Sequence, residues 1–129
     1  MRKFLVRYAP VLIWMTLMYF FSSRSDLPSS GSVTEDFFSK KLAHIIEYLI
    51  LMLLMYRAVG EKSPTKALLY SLTYAFTDET HQLFIPYRTG NLRDVGIDAI
   101  GLLLASFSII KFQLWNSSLL VAPLKKLRP

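Results

Sequence analysis

The chain predicts an all-α fold, an integral membrane four-helix bundle with both termini cytoplasmic. Three observations predict it. Hydrophobic residues make up 53% of the 129 positions and charged residues only 19%, against about 25% charged in an average soluble domain. Four apolar stretches, 4–21, 42–59, 67–85 and 95–112, approach the length of about 20 residues that a spanning helix needs. Within them Val11–Phe21 and Leu49–Met55 carry no charge on any side, whereas a helix of a soluble bundle shows one apolar stripe and one charged face. The length allows a single domain, 1–129.

The first stretch follows a basic start, Arg2, Lys3 and Arg7. That start could belong to a signal peptide, but Ser22-Ser23-Arg24-Ser25-Asp26 lacks a small-x-small cleavage pattern. The stretch therefore reads as a retained span with Arg7 snorkelling to the interface. A polar linker is expected over Ser22–Lys41, rich in Ser and holding Pro28 and Gly31. The second span contains His44 and Glu47, and Gly60 and Pro64 then stop one helix and start the next. The third span ends in Asp78, Glu79, His81 and Gln82. Pro86, Gly90 and Asn91 form a turn set, and the fourth span opens near Asp94 and Asp98. The tail Trp115–Pro129 is mixed and basic. Tyr8, Trp14, Tyr19, Tyr70 and Trp115 read as interfacial or packing aromatics.

The composition excludes several functions. No cysteine is present, so disulfides, thiolate metal sites, iron–sulfur clusters and a Cys nucleophile are ruled out. The net charge of +6 sits on an apolar chain, unlike the basic stripe on a polar surface that binds nucleic acid. The excess serves orientation instead. With four spans, twice as many basic residues fall on the side of the two termini as on the other, and positive residues favour the cytoplasmic side of short loops. Asn116-Ser117-Ser118 matches a glycosylation acceptor but is expected inside.

That orientation gathers the ionisable residues. Lys40, Lys41, His44, Glu47 and Tyr48 open the second helix, Asp78 to Gln82 close the third, and Asp94 and Asp98 open the fourth, all near the outer interface. Ionisable groups at membrane depth are costly and usually functional. Helical spacing puts Lys40, His44 and Glu47 on one face, and Asp78, His81 and Gln82 on another. Asp94, Asp98, Gly101 and Ala105 share a third face, whose small residues would let a neighbouring helix approach closely.

Three readings of this cluster stay open. It is a set of ion pairs among carboxylates and Lys40, Lys41, Arg88 or Arg93 that holds the helices together. It is a catalytic acid–base or metal site, with His44, Glu47, Asp78, Glu79, His81 and Asp98 as candidates; of these His44, Glu47, Asp78 and His81 could ligate a divalent metal. Or it is a pocket for a polar head group or peptide, with Lys41, Tyr48, Gln82, Arg88 and Asp94 as binding residues and Arg88 orienting an anionic group. No cofactor is expected other than a divalent metal there, and the spacing for that metal is not a strong motif, because it lacks the two-histidine pattern H-E-x-x-H.

The same residues carry a family resemblance. Lys41-Leu42-Ala43-His44-Ile45-Ile46-Glu47-Tyr48 resembles the K-x-x-H-x-x-E-Y block of the VanZ-like family. Asp78-Glu79-Thr80-His81-Gln82-Leu83-Phe84-Ile85-Pro86 resembles its D-E-x-H-Q-x-F-x-P block. Arg88-Thr89-Gly90, Asp94-Val95 and Asp98-x-x-Gly101 resemble its third block, and Phe20-Phe21-Ser22-Ser23 fits the end of its first helix. The resemblance spans about residues 10–110. It implies a multi-pass protein of the bacterial cytoplasmic membrane with four helices, from a family named for an accessory protein associated with teicoplanin resistance. The partners implied are membrane lipids, and a lipid-linked cell-wall precursor or the lipoglycopeptide itself.

Overall fold

The computed structural model of the chain describes residues 2–24, 33–59, 64–86, 88 and 90–114, with side chains from residue 4 and, in the second helix, from residue 37. Four helices make up the fold: α1 Arg2–Ser22, α2 Val33–Val59, α3 Thr65–Gln82 and α4 Leu92–Lys111. The expectations for Pro28, Gly31, Gly60, Thr89 and the tail from Trp115, with its Asn116, fall outside the described residues.

Each helix follows from local chemistry. The second begins nine residues before the expected span, so the linker is shorter than Ser22–Lys41. Nothing between Val33 and Lys41 is Gly or Pro, the residues that would stop a helix. Lys41 places its ammonium 5.6 Å from the centre of the Phe37 ring one turn earlier. α3 starts directly after Pro64 and ends at Gln82, ahead of Pro86, which disfavours helical backbone before it. Asn91 caps α4 with extended backbone, φ −141° and ψ 135°, and Asp94 lies in the first turn, where a negative charge favours the helix dipole.

Pairwise contacts give the directions. Arg7 of α1 meets Ala58 and Val59 of α2, while Trp14 meets Glu47, so α1 and α2 are antiparallel. Lys41 pairs with Asp94 and His44 with Asp98, so α2 and α4 are parallel. Tyr74 reaches Met15 and His81 reaches Ser23, so α1 and α3 are parallel. Consecutive helices thus alternate up and down, as short connections require.

α2 and α4 form the tightest seam. A Cβ on Gly101 would stand 2.2 Å from the Ile45 carbonyl oxygen, and Ala105 is buried below it. This is the close approach expected from the small-residue face. Tyr48, Leu51, Met52, Leu102 and Ile109 fill the core beside that seam.

Polarity across the fold is inverted relative to a water-soluble bundle. Ile13, Phe38, Leu42, Leu69, Phe76, Leu103 and Phe107 face outward, whereas Asp78, Glu79, Gln82 and Asp98 are buried. Exposed apolar surface on this scale needs a covering medium. By length and composition, Phe4–Ser22 and Phe37–Val59 are long and apolar enough to cross a membrane. α3 and α4 fall short of that measure: Asp78, Glu79, His81 and Gln82 close the one, and Arg93, Asp94 and Asp98 open the other.

Arg7 does not simply snorkel. It donates to the Ala58 and Val59 carbonyl oxygens at the end of α2, and Arg57 donates in return to the Val6 carbonyl at 2.9 Å. The last carbonyls of a helix lack intrahelical partners, and a cation there satisfies both their lone pairs and the dipole.

Candidate functional site

The opposite end of the bundle holds the polar cluster, and all four helices contribute. From α2, two residues one turn apart face two on α4. Lys41 Nζ lies 2.6 Å from Asp94 Oδ1, and His44 Nδ1 lies 3.0 Å from Asp98 Oδ1. Both pairs stand directly above the Gly101 contact, so the close approach of the backbones sets their length. Asp98 is fully buried, and its second oxygen, Oδ2, has no hydrogen-bond partner.

From α3, Asp78, Glu79 and Gln82 turn inward. Gln82 Nε2 donates to Asp78 Oδ2 at 3.1 Å and, more weakly, to Glu79 Oε1 at 3.4 Å. Glu79 Oε2 accepts the Asn91 backbone N–H at 2.9 Å, which ties α3 to the start of α4. The turn packs on the same place: a Cβ at Gly90 would stand 2.1 Å from the Glu79 carbonyl oxygen, so only glycine fits. Asp78 Oδ1 is buried without a partner.

A recess of about 140 Å³ opens between these helices. Lys40, Ala43, His44 and Glu47 of α2 form one wall, Asp78 and Arg88 a second, and Met18, Phe21 and Ser22 of α1 a third. The α1 wall went unread in the sequence, although the Phe-Phe-Ser-Ser ending of that helix was the signal for it. The expected face of Lys40, His44 and Glu47 does point into one space.

Other candidates stand elsewhere. His81 leaves the cluster for α1: its Nε2 lies 3.0 Å from Ser23 Oγ, and its ring lies 4.5 Å from that of Tyr19. Among the described residues the group with donor atoms all within 4.8 Å of one another is His44, Glu79 and Asp98. That set differs from the expected His44, Glu47, Asp78 and His81. Tyr48 is fully buried, its ring stacked at 6.5 Å from that of His44, and its hydroxyl has no partner. Arg88 spends part of its fork on the end of α1, donating from Nε to the Arg24 carbonyl at 3.0 Å and from Nη2 to the Phe21 carbonyl at 3.2 Å.

The three sequence blocks therefore describe one place. Comparison with known proteins agrees: the family described as VanZ/LLP1 matches residues 5–115. The chain belongs to the VanZ/LLP1 family. No curated protein and no solved structure matches it. Membership of the VanZ family suggests a membrane protein of the kind linked to glycopeptide resistance, and two helices are long and apolar enough to cross a membrane. The matched stretch takes in α2, α3 and α4 whole and α1 from its fourth residue, so the family relationship applies to the four-helix bundle.

Proposed function

We propose that this VanZ-family chain is a four-span protein of the bacterial cytoplasmic membrane, with both termini inside, whose outward recess binds the polar head group of a lipid or lipid-linked cell-wall precursor. The observation that carries the reading is the recess lining. Lys40 and Arg88 offer positive charge, Glu47 and Asp78 negative charge, and Met18, Phe21 and Ala43 an apolar wall along which a hydrocarbon chain can lie. Size decides between guests. Drug-sized ligands occupy pockets of about 300–1,000 Å³, and this recess is about 140 Å³. A phosphate-bearing head group matches it, and a whole lipoglycopeptide does not. Resistance to teicoplanin would then follow from a changed envelope surface rather than from sequestration of the drug. The orientation rests on the basic bias of the sequence and on Arg7 and Arg57 at the end opposite the recess.

The test has two arms. Full-length protein in lipid nanodiscs is titrated with a fluorescent phosphate-headed polyprenyl lipid, and the wild type is expected to bind at least tenfold more tightly than Lys40→Ala or Arg88→Ala. In cells, teicoplanin bound at the surface is compared with and without the chain. Equal lipid binding by wild type and both variants would overturn the pocket reading, and equal surface drug would overturn the resistance reading.

A second reading is an intramembrane acid–base enzyme, favoured by His44 and Glu47 lining one recess on adjacent turns. Lipid extracts from cells carrying wild type and His44→Ala separate the two, because only the enzyme leaves a changed product.

A further inference from the structure

Three carboxylates are buried at the recess end of the bundle, and among the described residues their one ion-pair partner is His44. Asp78, Glu79 and Asp98 are each at most 5% exposed. Lys41 is taken by Asp94. Among the described residues Asp98 has His44 as its ion-pair partner, and neither Asp78 nor Glu79 has one. Buried charges persist when they are paired or when they coordinate a metal. Here the protein side chains leave the cluster short of cations.

The donor geometry suits a metal. His44, Glu79 and Asp98 each present one ligand atom, all within 4.8 Å of one another. His44 Nδ1 and Asp98 Oδ1 are 3.0 Å apart. Metal bonds of about 2.0–2.2 Å to nitrogen and oxygen place neighbouring donors about 3.0–3.4 Å apart. A second, independent observation points to a ligand: Asp98 is fully buried, and its Oδ2 has no hydrogen-bond partner. That oxygen belongs to the carboxylate that meets His44 through Oδ1. The Asn91 N–H and the Gln82 amide hold the Glu79 carboxylate in place, as outer-shell partners do in metal sites.

We propose that His44, Glu79 and Asp98 hold a divalent transition-metal ion of the zinc class. One imidazole nitrogen with carboxylate oxygens is a donor set for zinc or manganese rather than for magnesium or calcium. Three protein ligands leave a coordination position open, and one of them, His44, also lines the recess. The site stands whether or not the recess takes a head group.

Untagged full-length protein, stripped with chelator in detergent, is titrated with Zn²⁺ alone. About one equivalent per chain is expected to bind. Asp98→Asn and Glu79→Gln, which keep side-chain shape, are each expected to weaken binding by about tenfold or more. His81→Ala is expected to bind as the wild type does. X-ray absorption on the zinc-loaded wild type, which needs no variant to fold, should show a shell of nitrogen and oxygen containing one imidazole. Wild-type binding no tighter than that of Asp98→Asn, or a shell with two imidazoles, would overturn the site.

Discussion

Gly101 on α4 faces the Ile45 carbonyl oxygen on α2 so closely that a Cβ would stand 2.2 Å from it. The obstruction is backbone, so no side-chain rotation relieves it. Gly101→Ala is expected to push the two helices apart and to cost about 3 kcal/mol, the upper part of the range for overpacked sites. Gly96, five residues earlier on a different face of α4, has nothing within 4 Å of the same added atom. Gly96→Ala is expected to be neutral or to stabilise by up to about 1 kcal/mol. Thermal denaturation of both variants in detergent checks the contrast; a Gly101→Ala protein as stable as the wild type would contradict the seam.

His44 and Asp98 form a pair in which the carboxylate is fully buried. Removing one partner of a buried pair costs about 3–5 kcal/mol, because the remaining charge is stranded, while replacing both by apolar groups is often harmless. Under metal-free conditions His44→Leu should therefore destabilise strongly, and the double variant His44→Leu/Asp98→Leu should recover most of the loss. Chemical denaturation of the two singles and the double measures this coupling. Strictly additive losses would mean that the pair is not a unit.

Arg88 spans two carbonyl oxygens with two different nitrogens. Lysine keeps the charge but cannot bridge both acceptors in the same fork geometry. Arg88→Lys is expected to cost about 1 kcal/mol and to loosen the end of α1, raising hydrogen exchange at the amides of Ser22 and Ser23. Unchanged exchange there would show that the fork does not hold that end.

Orientation has its own test, made easy by the absence of cysteine. Single cysteines at Ser30 and Lys111 are labelled in intact cells with a membrane-impermeant maleimide. Ser30→Cys is expected to react from outside, and Lys111→Cys only after permeabilisation. The reverse pattern would invert the bundle.

The sequence carried the four helices because Leu49–Met55 and Val11–Phe21 are apolar all round, and it carried the α2–α4 seam because Gly101 and Ala105 lie one turn apart. The shared face of Lys40, His44 and Glu47 was equally legible, since a helix fixes which of its own residues align. Which neighbour a face meets was not legible. His81 shares a face with Asp78 and Gln82 by spacing, yet it lies nearer the α1 side and meets Ser23 and Tyr19. Glu79 is one position along from Asp78 and reads from the sequence as a catalytic candidate but not as a metal ligand, because its approach to His44 depends on how α3 rotates against α2. The start of α2 is hidden in the sequence by its polar residues, of which Lys41 pairs with Asp94 and lies over the Phe37 ring rather than looping over the surface.

Trp14 donates its indole N–H to the Glu47 carbonyl oxygen at 3.1 Å, on the same turn whose side chain lines the recess. Indole emission responds to the field along that bond. The chain has two tryptophans, so Trp115→Phe leaves Trp14 as an intrinsic optical probe, placed on a different helix from the one it reports on. Occupancy of the recess becomes readable without attaching a dye to any residue that forms it.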